Sequence, residues 1–200
     1  MRLHFLMKSK ILIICLIVLN ILLIYKKFQS SNNISTNQKV SIIDFKEPVY
    51  NSYLTNGKLI EDINVKNLRG ETINLKNFIG NKKSLIFIYS EVSCNACVDS
   101  LIEGCNLLVK KLSGKNTIIG IAYSKDINYI RRFTRINNIQ FPFLLDDNAT
   151  FVKNNHLRTL PVILMVDEKH VIINSYYINP QIRELNSTFF VAASVFLRNK

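Results

Sequence analysis

The stretch Ser84-Leu85-Ile86-Phe87-Ile88-Tyr89, followed shortly by Ser93-Cys94-Asn95-Ala96-Cys97 and then Val98-Asp99-Ser100-Leu101-Ile102-Glu103, decides the fold. The apolar run reads as a buried strand. Val98, Leu101, Cys105, Leu108 and Leu112 recur at threes and fours, which predicts a helix reaching about Leu112. Gly104 weakens that helix locally. A Cys-x-x-Cys pair therefore stands where a strand hands over to a helix. Cys94 falls at or just before the first helical turn, where unpaired backbone N–H groups favour a thiolate over a thiol. Cys97 falls one turn inside, within reach for resolving a mixed disulfide.

Working outward, Thr117–Tyr123 reads as a strand buried on both faces. Ser124 or Asp126 caps a helix that runs to about Ile136 and stops at Asn137-Asn138. Phe141–Asp146 is extended, Ala149–Lys153 is a brief helix, and Val162–Val166 is a second central strand. Asp167-Glu168-Lys169 turns it back into Val171-Ile172-Ile173. A last helix spans Pro180 to Leu197, with Ile182, Leu185, Phe189, Ala192, Ala193 and Phe196 facing inward. On the N-terminal side, Lys58–Val65 partly alternates and pairs with Thr72–Leu75 as a hairpin. Asn77–Lys83 is a turn into the central strand. The expected fold is α/β, a central mixed sheet with helices on both faces.

Composition limits the alternatives. The 200-residue chain is 48% hydrophobic, enough for a sizeable core, and carries a formal charge of +12. Its basic residues are scattered, with no Gly-rich loop, zinc-finger spacing or Arg-rich helix, so no nucleic-acid partner is expected. Arg131, Arg132 and Arg135 read as a solvated helix face.

The first 43 residues lack Asp and Glu, and Ile11–Tyr25 is an apolar run of 15 residues between basic flanks. A membrane span needs about 20 residues and a cleavable signal core about 7–15, but no small-x-small site follows Tyr25. The reading is a signal-anchor over 1–27, with a cleaved signal as the rival. A tether follows at 28–43 and a folded domain at 44–200. Arg2, Lys8 and Lys10 favour a cytoplasmic start. That orientation predicts a single-pass inner-membrane protein whose soluble domain faces the periplasm, attached to the membrane through its N-terminal segment.

Each cysteine has another reading. Cys94 and Cys97 could form an inert bridge or hold a metal. Zinc would need two further ligands, and no second Cys-x-x-Cys exists. Copper bound with His156 or His170 stays open. Cys105 reads as a small core hydrophobe, and Cys15 belongs to the apolar segment.

The order of elements over residues 58–197 resembles the thioredoxin superfamily. It is most similar to the membrane-tethered or exported bacterial thioredoxin-like proteins, which are related to redoxins and peroxiredoxins. Cys94-Asn95-Ala96-Cys97 matches the family's redox motif, and Leu160-Pro161 matches its cis-proline position. The resemblance implies a thioredoxin-like fold, with one N-terminal hydrophobic helix added. It implies a thiol–disulfide oxidoreductase acting on protein disulfides outside the cytoplasm as a reductant. Cys94, Cys97 and Pro161 would be its catalytic set, and Thr159 and Leu160 its substrate-binding residues. An external thiol or a membrane electron donor would regenerate it, with no cofactor and no metal. The alternative is a non-enzymatic scaffold or a copper-binding envelope protein. Two departures bear on the reaction. Ser93 stands where many thioredoxins have Trp. Glu91 stands where peroxide-reducing relatives have Thr, which favours thiol–disulfide exchange. Glu91 is also the nearest carboxylate in sequence for proton transfer, or else a solvent-facing loop residue.

Overall fold

A computed structural model describes residue 52, residues 54–112 and residues 118–198. Seven strands form one sheet in the order β2-β1-β5-β4-β3-β6-β7. They are β1 (Asn64–Asn67), β2 (Thr72–Asn74), β3 (Ser84–Ser90), β4 (Ile118–Tyr123), β5 (Phe143–Asp146), β6 (Val162–Val166) and β7 (Ile172–Tyr176). The helices are α1 (Leu75–Ile79), α2 (Asn95–Lys111), α3 (Ile127–Ile136), α4 (Thr150–Asn154) and α5 (Arg183–Arg198).

Every residue of β3 is buried, as its unbroken apolar run requires of a strand covered on both faces. β3 lies parallel to β4 and antiparallel to β6, so it is an interior strand of the sheet. Its alternate side chains feed two cores. Leu85, Phe87 and Tyr89 meet Val98, Leu101, Cys105 and Leu108 of α2, Ile130 of α3, and Phe189 and Ala193 of α5. Ile86 and Ile88 meet Leu75 and Ile79 of α1 and Phe151 of α4 on the other face. The mixed sheet flanked by helices is the architecture expected from the sequence.

Glycine permits the two closest approaches. A Cβ built on Gly104 would stand 2.1 Å from the Phe190 ring, so the residue that weakens α2 locally is also the one that lets α5 pack against it. A Cβ on Gly120 would meet the Phe143 ring at the same 2.1 Å.

Several expectations need correcting. The first strand lies at Asn64–Asn67 instead of 58–65, and Leu59 makes only an isolated bridge to Val171. The partly alternating pattern at 58–65 arises because Ile60 and Ile63 are buried from irregular backbone. Residues 77–83 are not all turn: α1 starts at Leu75, its first turn capped by the Asn74 side chain, which accepts from Asn77 N–H at 2.9 Å, and it ends at Gly80 with φ 62°. In α5 the buried residues are Asn186, Phe189, Ala193 and Ser194, whereas Leu185 and Ala192 face solvent. The polar Asn186 occupies an inward position because it is fully engaged, accepting from Tyr176 Oη at 2.6 Å and donating to the Asn179 carbonyl at 2.8 Å.

The signal-anchor over 1–27, the N-terminal hydrophobic helix it would form and the tether over 28–43 lie outside the described residues. The transmembrane, single-pass inner-membrane assignment is corrected by the structure: among the described residues no helix is long and apolar enough to cross a membrane. The apolar run was too short to establish a span on length alone.

Candidate active site

The site grows out of the carboxyl end of β3. Ser90 and Ser93 close the turn that follows it: Ser93 N–H donates to the Ser90 carbonyl at 2.9 Å, and Ser90 N–H donates back to Ser93 Oγ at 3.0 Å. Both serines are buried, and their hydroxyls lie 3.2 Å apart. Small hydroxyl side chains let this tight turn satisfy its own backbone groups. The turn throws Val92 outward and delivers Cys94 to the N-cap of α2.

Cys94 has φ −56° and ψ 117°, makes no side-chain capping bond, and is exposed. Its carbonyl accepts from Val98 N–H at 3.0 Å, so the helix begins directly beneath it. No acidic residue occupies the first turn. The Cys97 thiol, hydrogen-bonded to the Cys94 sulfur, holds the Cys94 pKa below the usual thiol value, helped by the backbone N–H groups of Cys97 and Ala96 and opposed by the Asp99 charge. Cys97 is buried one turn on, and burial, reinforced by the Cys94 sulfur beside it, pushes its pKa up to about 12. Two thiols three positions apart are thus driven in opposite directions, one toward thiolate at the surface and one toward thiol in the core.

β6 supplies the facing wall. Its antiparallel register sets Val162 opposite Ile88, so Pro161 lies one residue farther toward the sheet edge from which Cys94 emerges. Pro161 is buried and the Leu160–Pro161 peptide bond is cis, while Thr159 and Leu160 are half-buried. Strand pairing therefore brings all five residues singled out in the sequence, Cys94, Cys97, Thr159, Leu160 and Pro161, to one end of the sheet.

Glu91 is neither buried beside Cys97 nor simply free in solvent. Its carboxylate accepts a hydrogen bond from Ser124 Oγ, which in turn accepts from Asp126 N–H at 3.0 Å. It braces the turn after β3 to the turn after β4, at one side of a cavity of about 280 Å³ lined also by Val92, Tyr123 and Lys125. Among the described residues the one buried carboxylate is Asp146, which accepts from the N–H groups of Thr150 and Phe151 and so caps α4. The sequence marks Ser93 only as a departure from Trp and Ser124 only as a candidate helix cap, and Ser90 not at all; none of the three reads from sequence as part of the site.

Among the described residues no group of three or more His, Cys, Asp or Glu side chains is placed to hold a metal ion. His170 hydrogen-bonds through Nε2 to the Gly80 carbonyl at 3.0 Å, on the face of the sheet away from α2, so the copper alternative finds no assembled ligand set there.

The Redoxin family profile matches residues 55–188. The chain belongs to the Redoxin family. No curated protein sequence matches it, but solved structures do. A peroxidoxin, BcpB, from Mycobacterium tuberculosis superposes with a TM-score of 0.56 at 13% identity, over 72% of this chain and 99% of that one. A thiol:disulfide interchange protein from Bacteroides sp. gives 0.56 at 16% identity, over 72% and 91%. The thioredoxin domain of a thiol-disulfide oxidoreductase from Bacteroides vulgatus gives 0.54 at 14% identity, over 68% and 97%. At these identities the likeness is one of fold. Membership in the thioredoxin/redoxin superfamily, together with the Cys94-x-x-Cys97 pair, supports a general thiol–disulfide redox role for this redoxin.

Proposed function

We propose that this redoxin is a thiol–disulfide oxidoreductase that reduces protein disulfides. The observation that carries the reading is the exposed, acid-shifted Cys94 at the start of α2 above the buried, base-shifted Cys97. The Cys94 thiolate attacks one sulfur of a substrate disulfide. That bond breaks, the first substrate sulfur leaves as thiolate and takes a proton from solvent, and Cys94 is left in a mixed disulfide. Cys97 then loses its proton and attacks Cys94 Sγ. The second substrate thiolate leaves, and Cys94–Cys97 becomes a disulfide. Two electrons have passed to the substrate, and an external thiol donor restores the dithiol.

Pro161 and Leu160 form the wall against which an extended substrate strand lies, with Thr159 at its edge. Leu160 offers backbone groups for strand addition. The Glu91–Ser124 brace ties the turn that leads to Cys94 to the turn after β4, on the other side of β3 from this wall.

The test is a trap. In full-length protein carrying Cys105→Ala, Cys97→Ala should accumulate mixed disulfides through Cys94, identifiable by mass spectrometry. Cys94→Ala should accumulate almost none. Trapping through Cys97 alone, or by both variants equally, would reverse or remove the assigned roles. If neither variant traps anything and a Cys94–Cys97 bridge survives mild reductant, the pair is structural and the protein is a scaffold.

A further inference from the structure

The cavity at the carboxyl ends of β3 and β4 takes no part in the exchange of electrons, but it lies close to the attacking cysteine. Ser90, Glu91 and Val92 line it from the end of β3 and the turn that follows, and Tyr123, Ser124 and Lys125 from the end of β4 and the turn beyond. Parallel pairing sets Tyr123 opposite Ser90, which holds the two turns side by side. Val92 is two residues ahead of Cys94, so their Cα atoms lie within about 7 Å of each other. The volume of about 280 Å³ falls just below the range of about 300–1,000 Å³ usual for small-molecule sites, so it suits one side chain better than a free ligand.

The lining is apolar where it is open and charged with both signs where it is not. Val92 is 94% exposed, the most exposed large hydrophobic side chain among the described residues, and Tyr123 is exposed as well. A single exposed valine calls for no explanation. An exposed valine and an exposed tyrosine on one concave wall, two residues from a nucleophile, form a surface that a substrate must meet. Glu91 adds a carboxylate already engaged by Ser124 Oγ, and Lys125 adds an ammonium. A charged side chain of either sign meets a like charge there. An apolar side chain meets Val92, the Tyr123 ring and the alkyl stem of Lys125.

We infer that this cavity takes a large apolar side chain of the substrate protein, two residues from the cysteine that Cys94 attacks; the inference rests on the disulfide-reducing reading above. In an extended strand, residues two apart point to the same face and lie about 7 Å from each other. That matches the separation of Val92 from Cys94. The substrate is then held on both sides of β3, by its backbone at Leu160 on the β6 side and by one side chain at Val92 and Tyr123 on the β4 side. Val92 and Tyr123 become specificity-determining residues, and the preferred substrate is a disulfide whose cysteine has Leu, Ile, Met or Phe two places away.

The test uses full-length protein carrying Cys97→Ala and Cys105→Ala, with Cys94→Ala added for the blank. The probes are short Gly/Ser peptides around a central cysteine held in a mixed disulfide with thionitrobenzoate. The low-pKa thionitrobenzoate leaves as Cys94 attacks the peptide sulfur, and its colour gives the rate. Leu, Ser, Asp or Lys stands two residues before or two residues after the cysteine. Each rate is divided by the same protein's rate with the mixed disulfide of mercaptoethanol and thionitrobenzoate, which has no side chain to fill the cavity. On one of the two sides Leu should react roughly tenfold faster than Ser, Asp or Lys, the discrimination a hydrophobic pocket gives, and that side reveals the direction of the substrate strand. Val92→Ser and Tyr123→Ser, both at exposed positions, should each remove most of the preference. Equal rates for all the peptides, a preference for Asp or Lys, or a Leu preference that survives both substitutions would overturn the inference and leave the redox reading standing, because Cys94 still reacts. A mercaptoethanol probe that reacts no faster than in the Cys94→Ala blank would overturn both.

Discussion

Cys94 and Cys97 are pushed to opposite sides of the ordinary thiol pKa although only Asn95 and Ala96 separate them. The cause is local: one sulfur sees backbone N–H groups and a thiol donor, and the other sees the core. Alkylation followed against pH should therefore give Cys94 a midpoint below the ordinary thiol value of about 8.5, with Cys97 unreactive until far higher pH. Matching midpoints would remove the basis for unequal roles. Cys105 makes a different prediction. It is wholly buried, and burial pushes its pKa up to about 12. In the unfolded chain the same thiol ionises near 8.5. Between those values the native state holds the extra proton, so this group's contribution to stability is full below the unfolded value and is lost as pH rises. Removing it with Cys105→Ala should make the loss of unfolding free energy shallower by about 1.4 kcal/mol per pH unit across that window. Urea denaturation of the variant and its parent measures this, and identical slopes would mean that Cys105 already ionises in the native protein.

Among the elements, α2 shows how local and tertiary demands compete. Alanine at 104 improves helix propensity by about 0.5–1 kcal/mol, yet its methyl would overlap the Phe190 ring. Overpacking of that kind costs about 1–3 kcal/mol, so Gly104→Ala should be net destabilising. In a Phe190→Ala background the penalty should vanish or change sign, a coupling that a double-mutant cycle reads directly. A stabilising Gly104→Ala in the parent protein would show that the two helices do not need this approach. The same competition explains which elements were legible in the sequence. β3, β4, β6 and α2 announce themselves because their apolar residues are nearly all inside, leaving periodicity undisturbed. α1 was missed because its five residues offer barely one turn of pattern, and its real signals were Asn74 ahead of it and Gly80 behind it. The face of α5 was misread because Asn186 and Ser194 are buried while Leu185 and Val191 are not, and hydropathy cannot anticipate the Tyr176 and Asn179 partners that make Asn186 welcome. At the site, Cys94, Cys97 and Pro161 were visible as motif positions. The serine turn was not, because its local hydrogen bonds leave no hydropathy pattern, and the Glu91–Ser124 brace was not, because it joins two turns that only the parallel pairing of β3 with β4 brings side by side.

For the molecule as a whole, the sheet divides into a strongly cross-linked part and a lighter margin. β3, β4 and β6 are paired along most of their length and covered on both faces. The β1–β2 hairpin pairs with the rest of the sheet through β5, where Lys66 and Asn67 stand opposite Leu145 and Leu144. Amides of β1 and β2 should therefore exchange with solvent well before those of β3 and β4, through an opening that leaves the cysteine site formed. Equal protection across the sheet would show a single cooperative unit. The central position of β3 also has a consequence in time. One of its two neighbours, β6, lies in the last quarter of the chain, and the cluster that buries Cys97 and Cys105 includes Ile163, Phe189 and Ala193. While the chain is still leaving the ribosome, β3 has an open edge and α2 lacks the helix that packs on Gly104. During that interval the thiols have no core to set them apart, and any of them is open to whatever oxidant is present. The distinction between an attacking and a sheltered sulfur is complete only once the segments that form β6 and α5 have been made.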